Sequence, residues 1–422
     1  MRLTRIPLFA VLVASGLAGF GNILSLVVVP WLVYQVTGSG AQTGVVGFAA
    51  AVPLVLSGMF GGVFIDRIGH SRAAVIAEIF SGVFLALIPI LHLTFGLNVP
   101  LIALLVFVSN LFSAPGMTAR RALVPEVAGQ AEMPLERANS LEQMMLRFPQ
   151  LIGPAIAGGL MAVIHPAQVI WLAVGVVWLA ALSIFIGVPF VRATDEESEP
   201  STYLADLLVG FRFLMQDRLM RALVFILAFT NLLEAPLSVI APIYATDVLE
   251  SPVGLGIMMA GLGIGLMLGV GWFAWFGHRL PRRFIFIFGL CGIGATYWLL
   301  ALLPGMWMTA GILFALGLLA GPVNPMLSTI SQERVPAELR GRVFGLMAAI
   351  ALSAMPVGRL LGGMLVDWIG LSGTLIVQAI GFAGAGAVML LLPALKLLNE
   401  RPESPNVRQP EPSPTPGVER VR

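Results

Sequence analysis

Residues 61–72 read Gly-Gly-Val-Phe-Ile-Asp-Arg-Ile-Gly-His-Ser-Arg, a short charged stretch between two long apolar runs. The charges of Asp66, Arg67 and Arg72 are costly to place in hydrocarbon, so we expect this stretch at a membrane surface. Its glycines permit close backbone approach or a positive φ. The stretch therefore predicts a tight turn that joins two membrane spans.

The composition of the whole chain indicates a membrane protein. Hydrophobic residues make up 58% of the 422 residues and charged residues only 11%, whereas a soluble domain carries about 25% charged residues. One soluble core cannot hide so much apolar surface, so the chain is expected to lie in lipid. The single cysteine, Cys291, excludes a disulfide framework.

Twelve stretches are long and apolar enough to cross a bilayer, which takes about 20 residues. The run that begins at Ile6 is too long for a cleaved signal and is predicted to be the first span. The predicted fold is therefore an all-α membrane protein with twelve transmembrane helices. The spans are 6–34, 42–65, 73–95, 100–119, 139–164, 168–190, 222–246, 253–276, 284–303, 307–330, 343–369 and 371–394.

The basic residues predict the orientation of these spans. Of the 24 Lys and Arg residues, all except Arg147 and Arg359 fall on one side of the predicted membrane. By the positive-inside rule, both termini and the central loop are expected in the cytoplasm. A missed span would disturb this alternation, so the bias also supports the count of twelve.

The two halves of the chain resemble each other. The spacing from Arg137 to Gly153 equals the spacing from Arg342 to Gly358, and in each half a Val-Pro element precedes the arginine. We therefore expect two related six-helix halves. The predicted division is residues 1–190 (first half), 191–221 (cytoplasmic central loop), 222–394 (second half) and 395–422 (a disordered cytoplasmic tail). Within the loop, residues 203–221 are amphipathic and are expected to form a surface helix.

The stretch at 61–72 resembles the glycine-rich Asp-Arg-x-Gly loop between transmembrane helices 2 and 3 of the major facilitator superfamily. Three further stretches, Pro30–Ser39, Arg137–Leu141 and Arg340–Gly345, resemble the branch of bacterial exporters that includes macrolide efflux pumps and the enterobactin exporter. The resemblance implies a secondary transporter of a bacterial inner membrane. Many members of this branch carry Asp where this chain has Asn22, which removes one protonation site.

Glu234 is the most informative buried charge. It is expected near the bilayer centre, and Pro236 frees a backbone carbonyl beside it. With Asn231, these residues predict a discontinuous polar helix of the kind that binds substrates or ions. Glu234 is expected either to exchange protons or bind substrate, or to form a static ion pair with Arg147 or Arg359.

A polar stripe is predicted on the fifth span. Gln143, Arg147 and Gln150 recur at positions i, i+4 and i+7 and so share one helix face. Such a stripe faces the protein interior or a water-filled cavity. It is expected to bind an anionic or polar substrate, or to neutralise Glu234. Asn22 on the first span is either a link between helices or part of a cavity lining.

A cytoplasmic gate is predicted around the turn at 61–72. Glu78, just beyond the turn, is expected to pair with Arg67, Arg72 or Arg120. Asp247 and Asp367 are expected at solvated outer ends of their spans. The predicted gate residues are Gly62, Asp66, Arg67, Gly69, Arg72 and Glu78.

Small residues predict sites of close helix packing. Those on the fifth span resemble a motif of drug/proton antiporters, which implies export. The predicted packing motif consists of Gly153, Pro154, Gly158, Gly159, Gly362 and Gly363.

The predicted function is the export of a small amphipathic compound, such as a drug or a siderophore-like molecule, in exchange for protons. The alternatives are an importer or a lysophospholipid flippase of the same fold, or a non-transporting membrane scaffold or sensor. The sequence contains no phosphate-binding loop and no metal-ligand spacing, so we predict no enzyme activity, no cofactor and no metal. The protein is expected to be a monomer. Nucleic acid is not expected as a partner, since the basic residues lie at the membrane surface.

Overall fold

A computed structural model describes residues 5–96, 98–189, 203–336, 339–391 and 398, without the side chains of 58–67, 95, 203–207 and 278. Its described residues form helices and no strand. The helices are α1 (Ile6–Thr37), α2 (Gly40–Ile68), α3 (His70–Phe95), α4 (Val99–Gln130), α5 (Leu135–Val163), α6 (Pro166–Gly187), α7 (Tyr203–Gln216), α8 (Arg218–Glu234), α9 (Leu237–Asp247), α10 (Pro252–Phe276), α11 (Arg282–Leu300), α12 (Met306–Ala320), α13 (Val323–Arg334) and α14 (Arg340–Leu391).

Eleven stretches of the described chain are long and apolar enough to cross a membrane. The pairs α8/α9 and α12/α13 each form one span. The 52-residue α14 is about 78 Å long at 1.5 Å per residue, too long for one crossing of a hydrocarbon core of about 30 Å. A positive φ at Gly370 divides it into two spans, 340–369 and 371–391. Twelve crossings follow, and the predicted all-α fold is confirmed.

The turn between α2 and α3 is shorter than predicted. Helix α2 continues to Ile68 and α3 begins at His70, so Gly69 alone separates them. Gly69 has a φ of +88°, a conformation that side chains with a Cβ resist, which confirms the expected positive φ. The length was wrong because charged residues do not break a helix, and a mid-helix glycine costs only about 1 kcal/mol.

The predicted surface helix is present as α7, which packs against α14 at Gly210. The seventh span then begins earlier than expected. Asp217 caps α8, because its Oδ1 accepts hydrogen bonds from the backbone N–H groups of Leu219 and Met220 at 2.8 and 2.9 Å. The acidic part of the predicted central loop and the predicted disordered tail, except Leu398, lie outside the described residues.

Helices α1–α6 pack mainly on one another, as do α8–α14. The largest contacts between these groups are those of α2 with α14 and of α5 with α10, and α9 also touches α1 and α2. Glycines allow the close approach. A Cβ built on Gly363 would lie 2.2 Å from the carbonyl oxygen of Gly40, and one built on Gly158 would lie 2.5 Å from that of Pro252. We call the end of the bundle formed by residues 34–41, 247–252 and 363–370 the distal end.

Candidate functional site

A cavity of about 230 Å³ lies between α1, α2, α3, α4, α9 and α14. Most of its wall is apolar, with side chains such as Leu26, Val29, Leu54 and Met117. Pockets of this kind, apolar with a few polar groups, are the usual sites of small-molecule binding. Its described polar lining residues are Asn22, Ser25, Ser109, Asn110, Ser113, Ser238 and Arg359.

Asn22 both lines this cavity and links two helices. Its Nδ2 donates a hydrogen bond of 3.0 Å to Ser113 Oγ on α4, while the Ser113 hydroxyl lies 3.3 Å from Asn22 Oδ1. The sequence left open whether Asn22 links two helices or lines a cavity. In the structure it does both. The amide brings polarity to the cavity without bringing a charge.

Arg359 reaches the cavity from α14, across the interface with α2. Its Nη1 donates a long hydrogen bond of 3.3 Å to the carbonyl oxygen of Gly47. Its Nε is buried and has no hydrogen-bond partner among the described residues. A Cβ on Gly47 would lie 3.4 Å from the Arg359 Cβ and 3.5 Å from its Cδ, so the arginine stem runs directly over this glycine.

Glu234 ends α8 at the break in the seventh span, about half-way along Arg218–Asp247. The predicted discontinuity is present, since α9 begins only at Leu237. The Glu234 side chain is exposed and does not line the cavity. Tyr297 on α11 lies within electrostatic reach of Glu234 and has a buried hydroxyl without a hydrogen-bond partner in the described chain.

The hypothesis of an ion pair at Glu234 is wrong for this conformation. Among the described residues Glu234 forms no ion pair with Arg147 or Arg359. The physical reason is the direction of the two guanidinium groups. Arg359 turns towards Gly47 on α2, and Arg147 donates to Gln150 Oε1 on its own helix at 3.3 Å.

The polar stripe on α5 has exposed side chains at Gln143, Arg147 and Gln150. None of the three lines the described cavity. The structure therefore brings Asn22 and Arg359 to one cavity and leaves the stripe and Glu234 outside its wall.

Two amides hold the broken seventh span against α14. Asn231 Nδ2 donates to the carbonyl oxygen of Ala351 at 3.0 Å, and Gln378 Nε2 donates to that of Leu233 at 2.8 Å. The second bond satisfies one of the carbonyls that a helix end leaves unpaired. Gln378 was missed in the sequence, although it is the one amide side chain in its predicted span.

Four of the predicted packing glycines lie at close helix contacts. A built Cβ on Gly153 would lie 2.6 Å from Ile23, and one on Gly362 would lie 2.4 Å from Pro236. Gly158 and Gly363 make the contacts described above. Gly159 does not share this role, because nothing lies within 4 Å of the Cβ that it lacks. Pro154 contributes its carbonyl to the contact with Gly256.

Glu78 forms a fully buried ion pair with Arg120, one of its three predicted partners. The pair joins α3 to α4. The side chains of the predicted gate residues Asp66 and Arg67 and the surroundings of Gly62 lie outside the described part of the chain. Arg72 is exposed at the start of α3.

Asp247 and Asp367 are exposed at the ends of their spans, as predicted, but each also bonds to a helix of the other group. Tyr34 on α1 donates a 2.5 Å hydrogen bond to Asp247 Oδ2 on α9. The Asp367 carboxylate accepts three hydrogen bonds at the start of α2, from Ser39 Oγ at 2.8 Å, Gly40 N at 2.6 Å and Ala41 N at 2.9 Å. We call these two sets of contacts the distal latch.

The distal latch connects groups far apart in the sequence. A carboxylate at a helix N-terminus is stabilised both by the free N–H groups and by the helix dipole. In each set one partner lies before residue 50 and the other after residue 240. The latch joins α1 to α9 and the start of α2 to α14, both at the distal end.

Comparisons with known proteins agree with this architecture. The sequence profile of the Major Facilitator Superfamily matches residues 11–353, with a second match over 223–421. The chain belongs to the Major Facilitator Superfamily. It is therefore a multi-span membrane transporter and not an enzyme, as predicted.

Two relatives have names that describe efflux. The multidrug efflux pump Tap of Mycolicibacterium fortuitum is 31% identical over 400 residues, covering 94% of this chain and 98% of the pump. Macrolide efflux protein A of Streptococcus pyogenes is 22% identical over 365 residues, covering 84% of this chain and 89% of that protein. These similarities confirm the resemblance to the macrolide-efflux branch.

Solved structures share the fold. The nucleoside transporter NupG superposes with a TM-score of 0.74 at 12% identity, covering 95% of this chain and 100% of NupG. A bacterial homologue of the human lysosomal transporter Spinster, in an inward-facing and unoccupied conformation, superposes with a TM-score of 0.72 at 16% identity. The superposition covers 96% of this chain and 99% of the homologue.

Proposed function

We propose that the chain exports a small amphipathic compound across a bacterial inner membrane, in exchange for protons and by alternating access. The observation that carries this proposal is the similarity to the multidrug efflux pump Tap over 94% of the chain. The compound would bind in the cavity beside Asn22 and Arg359, where an apolar wall carries a few polar groups. The protein would act as a monomer of two six-helix halves, residues 1–190 and 222–394.

The positive-inside rule supports the orientation. It places both termini in the cytoplasm, so the distal end faces the outside. The distal latch is then an outer closure, held by Asp247 and Asp367. In alternating access the two halves would rock about the cavity, so the latch must break when the outer side opens.

Glu234 is proposed as the proton-exchanging group. It lies at the α8/α9 break, and no charged partner neutralises it among the described residues. A carboxylate at this depth is expensive to keep charged, so its protonation can bias the two states. The exposed stripe of Gln143, Arg147 and Gln150 is proposed to line the path by which the compound or the proton arrives.

The turn at Gly69 is proposed to belong to the inner gate. Asp66, Arg67 and Arg72 are the charges nearest to it in sequence, and Glu78 is already committed to Arg120. We therefore assign Glu78 a supporting role that fixes α3 against α4, and the other three the task of holding the inner side shut. Exchange of Asp66 for Asn should raise the leak of substrate in the absence of a gradient, and an unchanged leak would remove Asp66 from the gate.

Flux measurements on purified protein in liposomes test the export proposal. Liposomes with an imposed pH gradient are loaded with a panel of dyes, macrolides and siderophores. Protease cleavage of the C-terminal tail measures the orientation of the protein in the liposome membrane. We expect at least one compound to move towards the distal side against its gradient while protons move inwards. Movement towards the cytoplasmic side would indicate an importer, and transfer of a labelled lysophospholipid between leaflets would indicate a flippase. The absence of flux for every compound would favour a scaffold or sensor.

A further inference from the structure

We propose that the cavity selects compounds with an acidic group, a carboxylate, sulfonate or phosphate, and that Arg359 binds this group. The inference rests on the proposed export function and names the class of substrate that the same cavity takes. The observations that carry it are the charge of the lining, the unsatisfied donors of Arg359, and the way in which α2 leaves room for this side chain.

The charge of the lining is one-sided. Arg359 is the sole ionisable residue among the described lining residues, and the other polar groups are amides and hydroxyls. A cationic compound would meet a like charge here and no carboxylate to compensate the loss of its hydration, whereas an anion would meet an opposite charge in a poorly solvated space. The lining therefore favours anionic over cationic compounds.

The guanidinium of Arg359 has few hydrogen-bond partners among the described residues. It has five N–H donors, but one long bond to Gly47 is the hydrogen bond that the described chain gives it, and its Nε is buried without a partner. Donors left in this way cost free energy. A carboxylate or phosphate satisfies two guanidinium donors at once through parallel hydrogen bonds.

Other arginines of the same chain show what a satisfied guanidinium looks like here. Arg282 forms two parallel hydrogen bonds with the Glu333 carboxylate, at 2.5 and 2.7 Å, and Arg120 is paired with Glu78. Arg359 has no such carboxylate among the described residues. The missing partner of this one arginine is accordingly assigned to the substrate.

The interface between α2 and α14 is shaped around Arg359. The carbonyl oxygen of Arg359 would lie 2.9 Å from a Cβ on Gly44, and its side chain passes over Gly47 one turn later. The guanidinium thus reaches from α14 into a cavity that Asn22 on α1 and Asn110 on α4 also line. An acidic compound bound there would contact both halves, so its binding would act on their relative position.

The apolar wall and the volume of the cavity limit which groups can be attached to the acidic group of the compound. A cavity of about 230 Å³ is smaller than the 300–1,000 Å³, roughly, that encloses a drug-sized ligand. It suits an acidic group attached to one or two rings or to a short apolar chain, with any larger remainder extending out of the cavity.

Binding of three probes built on one ring system tests this assignment. The affinities of 2-naphthoate, 2-naphthamide and 2-naphthylmethylammonium are measured by calorimetric titration of the purified full-length protein in detergent. We expect 2-naphthoate to bind at least tenfold more tightly than the ammonium probe. Arg359→Gln should abolish this preference, and Arg359→Lys should retain part of it. Arg212→Gln, which removes an exposed charge from α7 far from the cavity, should leave it unchanged.

The wild-type titration decides the matter even if Arg359→Gln does not fold. Equal or tighter binding of the ammonium probe by the wild type overturns the assignment, as does an Arg359→Gln protein that is monodisperse and keeps the preference. The liposome fluxes separate this outcome from export itself. Gradient-driven export of a cation together with weak naphthoate binding refutes the acidic class and keeps export, whereas tight naphthoate binding without any flux keeps the anion site and refutes export.

Discussion

Asp367→Asn should shift the protein towards a state that is open at the distal end. The substitution keeps the size of the side chain but removes its charge and one of its two acceptor oxygens. Asp367 serves three donors at the start of α2, namely Ser39 Oγ, Gly40 N and Ala41 N. An Asn carbonyl oxygen can still accept, but the amide nitrogen that replaces the second oxygen would face donors.

The size of the shift follows from these three bonds. A hydrogen bond to a charged group contributes about 1.5–3 kcal/mol and a neutral one about 0.5–1.5 kcal/mol. Asp367 is exposed, so water competes for its carboxylate and each bond contributes less than these ranges, about 0.2–1 kcal/mol, as exposed charge contacts do. We expect the closed state to lose about 1–2 kcal/mol, which changes the ratio of the two states by a factor of about 5–30.

Distances between spin labels measure this ratio. Labels are placed at Val36→Cys on α1 and Val253→Cys on α10, both exposed at the distal end, with Cys291→Ser as background. The long-distance population should rise by the stated factor in Asp367→Asn. Glu250→Gln removes an exposed charge from the same end, where the described chain gives it no partner, and should leave the distribution unchanged. Identical distributions for wild type and Asp367→Asn would refute the latch.

The remaining predictions concern the helix contacts and the turn. Glu78→Ala leaves Arg120 buried without its partner and should lower the free energy of unfolding by about 3–5 kcal/mol, seen as a lower melting temperature in detergent; unchanged melting would show that the pair is not stabilising. Gly363→Val should weaken distal closure and slow transport, because a Cβ there meets backbone, whereas Gly384→Val, with nothing within 4 Å, should do neither; equal transport rates for the two variants would contradict the close contact. Gly69→Ala forces a Cβ into a positive φ and should cost about 1–3 kcal/mol of stability; an unchanged melting temperature would argue against that backbone conformation.

Hydropathy and proline positions were enough to predict the spans and the broken helix. Lipid demands about 20 apolar residues per crossing, so the spans are visible without knowledge of their neighbours. The break before Leu237 was predictable for a similar local reason, because Pro236 cannot donate to the helix. Gly69 was recognisable as a residue suited to a tight turn, although its neighbours proved to be helical.

The contacts between helices were less predictable. Asp367 meets the start of α2, more than 300 residues away in sequence, and such a meeting depends on the rotation and tilt of both helices. The same reason explains why the sequence left an arginine partner open as one of the two alternatives for Glu234. Serines such as Ser25 and Ser238 line the cavity, but isolated serines in an apolar span carry no mark that separates a cavity wall from a helix contact.

The coupling of export to protons is tested most directly at Glu234. Purified wild-type protein and Glu234→Gln are placed at equal density in liposomes that contain a pH-sensitive dye, and the exported compound is added without any imposed pH gradient. We expect the wild type to move protons when the compound is added, and Glu234→Gln to bind the compound but move no protons, with Glu250→Gln behaving like the wild type. Substrate-driven proton movement of undiminished rate in Glu234→Gln would contradict the account.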